Sequence, residues 1–317
     1  MPLDPQLARL VRTRLEHQQA SQWEMPIAEV RRSFRNLWST QMTGEPASIG
    51  RTEDIFIPGP ERRIRARVYT PSRGARHPLM LYFHGGGYVK GGIDECDTFC
   101  RNLARVARHV VVSIDYRLAP EHPFPAALDD ACAATAWACT QADEVGAARG
   151  PVVVSGESAG GNLAAVTCFR ARADPNAQIR WQVLLQPVVD FTMSAPSMKL
   201  PRTECLVPRE DLDWYYRTYY GSSRSRENPD VSPLFAANLA GLPPALIITA
   251  EYDTLRDEGK AYADRLRQAG VRVQYSCYPG MVHGFLQMGG LVKDAYTALD
   301  EIAGVVNIGS GSTTPRA

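Results

Sequence analysis

Residues 151–161 read Pro-Val-Val-Val-Ser-Gly-Glu-Ser-Ala-Gly-Gly, so that Ser158 stands between Gly156 and Gly160. A β-branched run precedes it, and the helix-compatible Asn162-Leu163-Ala164-Ala165-Val166-Thr167 follows. Strand, sharp turn and helix in that order would lift the serine hydroxyl over a sheet end, near the positive end of the helix. In such a strained turn the chain crowds the positions two before and two after the serine, where glycine avoids a clash. A serine hydroxyl is a poor nucleophile at neutral pH. Acyl transfer at Ser158 therefore calls for a base, a carboxylate that orients the base, and donors for a developing oxyanion, all at one end of the sheet.

The donors are sought in His84-Gly85-Gly86-Gly87-Tyr88, which follows the apolar run 79–83. Bare glycines after a strand let backbone amides turn toward a small anion. Gly85, Gly86 and Gly87, with the amide of Ala159, form the candidate oxyanion hole. A phosphate-loop reading fails, because Lys90 is not followed by Ser or Thr and the glycines miss the Gly-x-Gly-x-x-Gly spacing. His84 is read as pinning this loop, and Glu157 as a second loop-positioning residue.

The base is one of six histidines, at 17, 77, 84, 109, 122 and 283. His17 falls in an N-terminal helix, His77 before a strand, and His109 at the wrong end of one. His122 lies on a loop at the correct end, in Ala119-Pro120-Glu121-His122-Pro123. His283 follows the last strand in an irregular stretch that can lean over a crevice, and is preferred. For the acid, the run 245–250 opens into Glu251-Tyr252-Asp253-Thr254-Leu255-Arg256-Asp257. Asp253 occupies the loop position just past the strand, whereas Glu251 is nearer the sheet and Asp257 is already in a helical turn.

Positioning these residues needs a scaffold. Leu7, Leu10, Val11 and Leu15, then Val30, Phe34, Leu37 and Trp38 after Pro26, recur at helical spacing and predict two amphipathic helices. Ile55 and Ile57, then Ile64, Ala66 and Val68, alternate around Pro58-Gly59-Pro60 and predict an antiparallel hairpin at a sheet edge. Strands are expected over 79–83, 110–114, 151–155, 181–186, 245–249 and 271–277, with helices near 95–108, 125–139, 159–172, 256–269 and 291–306. Continuously apolar strands such as Val110-Val111-Val112 are those covered on both faces. The rhythm predicts a doubly wound, mostly parallel α/β sheet.

Residues 190–230 break that rhythm with prolines and the aromatics Trp214, Tyr215, Tyr216, Tyr219 and Tyr220. The segment reads as an insertion. Leaving the carboxyl end of a central strand, it should cover the ligand crevice together with the N-terminal helices. The organisation expected is N-terminal cap helices over 1–50, a core over 51–189 and 231–308, an inserted cap segment over 190–230, and a disordered tail over 309–317. Tyr88, Trp38, Trp214 and Tyr219 are the candidate pocket residues, although the tyrosines of 190–230 could equally form a helix's core face.

The 35 basic and 34 acidic residues among 317 leave a net charge of +1, which favours neither nucleic acid nor an anionic membrane as partner. Seven cysteines without a Cys-x-x-Cys pair argue against a disulfide framework. Cys96 and Cys100 could share a helix face as a metal or redox pair, but small apolar fillers are the simpler reading. The start lacks the pattern of a signal peptide, and no run reaches the roughly 18 apolar residues of a membrane span. A cytoplasmic protein without membrane insertion is expected. The strand at 271–277 could pair with a second copy across an edge, giving a homodimer, or be capped.

Together these motifs resemble the hormone-sensitive-lipase-like carboxylesterases, the bacterial family IV esterases of the α/β-hydrolase fold. The matching stretches are Leu3-Asp4-Pro5, His84-Gly85-Gly86-Gly87, Asp115-Tyr116-Arg117-Leu118-Ala119-Pro120-Glu121, Gly156-Glu157-Ser158-Ala159-Gly160-Gly161, Asp253-Thr254-Leu255-Arg256-Asp257 and His283-Gly284-Phe285. The order Ser158, Asp253, His283 is also that of the fold. The resemblance implies a serine hydrolase with a helical cap, no metal and no organic cofactor, acting on small-molecule esters of short to medium acyl chain. Glu157 stands where the family commonly has Asp, and Thr254 where it commonly has Pro. An aryl formamidase or other amidase would use the same triad. A non-catalytic small-molecule receptor of this fold, similar to the plant gibberellin receptors, would have lost the base that His283 supplies.

Overall fold

The structure, a computed structural model, describes residues 1–17, 21–38 and 40–308. The tail 309–317 and the side chain of His17 lie outside the described residues.

Eight strands form one sheet: β1 (Arg51–Ile57), β2 (Ile64–Thr70), β3 (Leu79–Phe83), β4 (Val110–Ile114), β5 (Val152–Glu157), β6 (Ile179–Leu185), β7 (Ala245–Tyr252) and β8 (Val273–Val282), in the order β1-β2-β4-β3-β5-β6-β7-β8. The first two strands pair antiparallel as the hairpin expected at the edge, and β2 meets β4 antiparallel. All later pairings are parallel. This is the α/β-hydrolase fold read from the sequence.

The two-residue period of a strand sends alternate side chains to opposite faces, and both faces are covered. Leu81, Val112, Val154 and Ile247 pack with α5 (Ala126–Gln141), α6 (Ala159–Ala171) and α8 (Arg256–Gln268). Their neighbours Met80, Val111, Val153 and Leu246 pack with α4 (Asp97–Ala107) and α9 (Asp294–Val306). Cys96 and Cys100 belong to this second layer. Their sulfurs lie 3.9 Å apart, with Ser113 Oγ 3.3 Å from Cys96 Sγ.

Three strands run past their expected ends, β5 by two residues to Glu157 and β7 and β8 by more. β7 and β8 stay paired through a bulge to the rung Tyr252↔Val282. The polar and glycine-containing stretches Thr249–Tyr252 and Tyr278–Val282 lack the apolar run by which a strand is recognised, so the sequence stops the sheet early. In the fold, each supplies the other's hydrogen-bond partners.

The N-terminal helices are α1 (Pro5–His17) and α2 (Ile27–Leu37), with a short 3-10 turn at Gln22–Glu24 between them and a one-turn α3 (Thr40–Thr43) after. Leu7 and Val11 are buried with Met281, Val282 and Phe285, which fixes α1 beside the end of β8. The interval 190–230 contains no strand, a 3-10 turn at Pro196–Lys199 and α7 (Arg209–Tyr220). No helix among the described residues is long and apolar enough to cross a membrane.

Candidate active site

The last rung of the sheet sets the candidate acid and base. Because Tyr252 pairs with Val282, the next residues, Asp253 and His283, leave the sheet side by side. His283 Nδ1 lies 2.8 Å from Asp253 Oδ2, with the carboxylate 1% and the imidazole residue 8% exposed. With Nδ1 held by the carboxylate, Nε2 is the nitrogen left for the cavity. Burial pulls the imidazole down, but the Asp253 carboxylate and then Glu157 outweigh it, against a smaller opposing push from Lys90, and the net shift is upward.

Ser158 follows β5 as the residue before α6, at φ 56° and ψ −118°, a conformation that costs an L-residue energy. The crowding around it is severe. A Cβ on Gly156 would lie 2.2 Å from Gly160 O, and one on Gly160 would lie 2.0 Å from Phe83 O. Phe83 and Gly156 are also a pairing rung, so the elbow is wedged against the end of β3. The amide of Ala159 is the first of α6, where no intrahelical acceptor exists.

The loop after β3 comes to the same rim. A Cβ on Gly85 would lie 3.5 Å from Ser158 Cβ, so this backbone runs directly beside the serine. Gly86 and Gly87 have positive φ, and a Cβ on Gly87 would meet the ring of Tyr215 at 2.4 Å. His84 stacks on Tyr116 with ring centres 4.2 Å apart, and its Nδ1 lies 2.7 Å from Gly85 O. Burial pushes His84 down, toward the neutral form. Glu157, 3% exposed, accepts from Tyr82 OH at 3.3 Å and from Gln287 Nε2, which ties the elbow to the loop beyond His283. Burial pushes its carboxyl up.

The other candidates lie elsewhere. His109 is buried against Ala107 O and pulled down to about 4 by burial, His77 bonds Ser72, and His122 is exposed. Asp257 pairs with Arg256, and Glu251 accepts from Gly280 N.

A cavity of about 790 Å³ opens above the rim, lined by His84, Gly85, Gly86, Gly87, Glu157, Ser158 and His283. Its outer wall is Leu10 of α1, Val30, Phe34 and Leu37 of α2, Trp38, and Leu212, Tyr215 and Tyr216 of α7. Three of the expected pocket residues are not among the lining. Tyr88 and Tyr219 are fully buried and stack on each other at 3.9 Å, and half-buried Trp214 packs on Tyr215. On α7 the inward face is set by helical phase, which places Tyr215 at the cavity and turns Trp214 one step around the helix.

Gln186 was not anticipated. Its backbone has φ 45°, its Nε2 donates to Asp253 Oδ2 at 3.2 Å and to Val282 O at 3.1 Å, and its Oε1 accepts from Gly284 N at 2.7 Å. One amide thus holds Asp253 and both flanks of His283. The available signal was a polar side chain directly after the apolar run Val183-Leu184-Leu185 and before Pro187. Thr254 uses its hydroxyl to reach Val207 O at 2.7 Å, a link to the segment 190–230 that proline could not make.

A family model described as the alpha/beta hydrolase fold matches residues 80–287. The carboxylic ester hydrolase LipN of Mycobacterium tuberculosis is 47% identical over 248 residues, covering 75% of this chain and 65% of its own length, just under two thirds. An arylesterase of Saccharolobus solfataricus is 33% identical over 93% of this chain and 100% of its own. Among solved structures, a hyperthermophilic esterase from Pyrobaculum calidifontis superposes with a TM-score of 0.91, at 40% identity over 98% of this chain and 100% of that one. The chain belongs to the α/β-hydrolase family. Within it, it is one of the hormone-sensitive-lipase-like carboxylesterases.

Proposed function

We propose that this chain is a serine carboxylesterase in which Ser158 attacks, His283 moves the proton and Asp253 holds His283. The observation that carries the reading is the 2.8 Å Asp253–His283 contact on the last rung, opening onto the cavity that also receives Ser158. In the first half-reaction His283 Nε2 takes the Ser158 proton as Oγ attacks the ester carbonyl. The oxyanion meets the amides of Gly85, Gly86 and Ala159, with Gly87 shaping the same loop. The alcohol leaves with the proton from His283, and water then repeats the steps on the acyl-enzyme.

Residues 1–50 and 190–230 form the cap of this reading, and 51–189 with 231–308 its core. Apolar walls in the 790 Å³ cavity suit esters of short to medium acyl chain. A cytoplasmic location fits the absence of disulfides among the described cysteines. A homodimer through β8, an outer strand of the sheet, completes the reading. The test is an organophosphate label with p-nitrophenyl butyrate turnover. The wild type should be labelled at one site and turn over the ester. A Ser158→Ala enzyme that kept either property would sink the scheme.

A further inference from the structure

Lys90 has no part in the steps above, yet it is 8% exposed and lies between the oxyanion loop and the outer wall. The loop from Gly86 to Lys90 closes on itself. Val89 N and Lys90 N donate to Gly86 O at 3.2 and 3.1 Å, and a Cβ on Gly86 would lie 2.0 Å from Lys90 O. The Lys90 backbone therefore braces a residue whose amide is a proposed oxyanion donor.

The side chain reaches the other way, into both halves of the cap. Nζ donates to Gln22 Oε1 and to Tyr215 OH, each at 2.6 Å, and stands 4.9 Å from the centre of the Phe34 ring. Gln22 and Phe34 belong to the N-terminal segment and Tyr215 to α7. Behind them Tyr215 OH donates to Gln22 Oε1 at 2.9 Å, while Gln22 Nε2 and Arg14 both donate to fully buried Asp211, at 2.6 and 2.7 Å.

We propose that Lys90 is a positioning residue for the hydrolysis: its ammonium ties both halves of the cap to the loop carrying the Gly85 and Gly86 amides, so that a closed cap and a correctly shaped oxyanion hole are one structural state. The proposal rests on the serine esterase reading. Stability alone gives a poor account of this lysine. Burial first, and the neighbouring Arg14 charge second, pull its ammonium down to about 7, with Asp211 opposing. A methionine of similar length would fill the space without a charge to desolvate.

The experiment compares wild type, Lys90→Met, Gln22→Leu and the double variant for kcat and KM on p-nitrophenyl butyrate, with Tm alongside. Lys90→Met should lose about tenfold in kcat, because donors displaced by a fraction of an ångström fail in the transition state, while KM moves less than about threefold. Its Tm should hold or rise. The double variant should be no more than about twofold slower than Lys90→Met, since one connection cannot be lost twice. Wild-type kcat in Lys90→Met, whatever its Tm, overturns the proposal, as do losses that multiply in the double variant. Should Lys90→Met not fold, Tyr215→Phe removes only one oxygen of the network, and wild-type kcat there overturns it equally. A wild type that takes no organophosphate and turns over no butyrate ester would instead sink the esterase reading itself.

Discussion

The rim of the sheet and the outer wall of the cavity are built by different means. At the rim, backbone register does the positioning: Tyr252↔Val282 delivers Asp253 and His283, and Phe83↔Gly156 wedges the turn at Ser158 against the end of β3. At the wall, Leu10, Phe34 and Tyr215 come from α1, α2 and α7 and Trp38 from the cap that ends α2, all outside the sheet, and side-chain packing and a few buried hydrogen bonds hold them. Register is discrete and packing is graded. Substitutions at the rim should therefore abolish turnover, whereas those at the wall should retune it.

The largest effects test the rim. Ser158→Ala should lower kcat by about 10⁴-fold or more without lowering Tm, since the strained serine gains nothing from its hydroxyl in folding. Asp253→Asn should cost about 10⁴-fold through the wrong imidazole tautomer. Turnover within tenfold of wild type in either variant would show that the rim geometry does not carry the chemistry. Gly160→Ala tests the wedge instead: a Cβ 2.0 Å from Phe83 O forces β3 and the elbow apart, so both Tm and kcat should fall.

This division also explains what the sequence made legible. Ser158 and Asp253 each follow an apolar strand run, at 151–155 and 245–250, and His283 follows the alternating stretch that begins at Val271, so local pattern brings all three toward strand exits before any tertiary contact is known. The same pattern ended β7 and β8 too early, because Thr249–Tyr252 and Tyr278–Val282 are strands only by virtue of each other. Gln186 escaped for a related reason: its task is defined by three partners at positions 253, 282 and 284. The wall was the least legible. Aromatic content in 190–230 was plain, but whether Trp214 or Tyr215 turned inward depended on the phase at which α7 docks, and that phase is set by Tyr219 stacking on Tyr88 and Tyr216 on Phe191.

An intermediate effect is expected where the rim is tuned electrostatically. With His283 shifted upward, the acidic limb of kcat/KM should lie above the ordinary imidazole value of about 6.5, since the base must be neutral to take the serine proton. Glu157 contributes to that shift. Glu157→Gln removes the negative neighbour, lowers the pKa of the imidazole and moves the limb to lower pH, with a loss in kcat smaller than that of Asp253→Asn. A limb that moved upward would show that Glu157 acts on His283 through loop geometry and not through charge. Gln186→Ala, measured beside it, should lower kcat roughly tenfold by freeing Asp253 and Gly284 from their shared amide.

The smallest effects belong to the wall, and there the two tryptophans make the sharpest pair. Trp38 lines the cavity and sits against the loop carrying His283, its Cη2 3.5 Å from where a Gly284 Cβ would be, while half-buried Trp214 packs on Tyr215 and does not line the cavity. Trp38→Ala should widen the space beside His283 and move the preferred acyl chain of a p-nitrophenyl ester series, acetate to laurate, upward by about two to four carbons. A methylene gained in an apolar pocket is worth about 1 kcal/mol, so the longer esters should gain several-fold in kcat/KM while acetate changes little. Trp214→Ala should leave the chain-length profile as it is. If Trp214→Ala shifted the profile and Trp38→Ala did not, α7 and not the N-terminal segment would set pocket depth, and the graded wall would have to be redrawn around that helix.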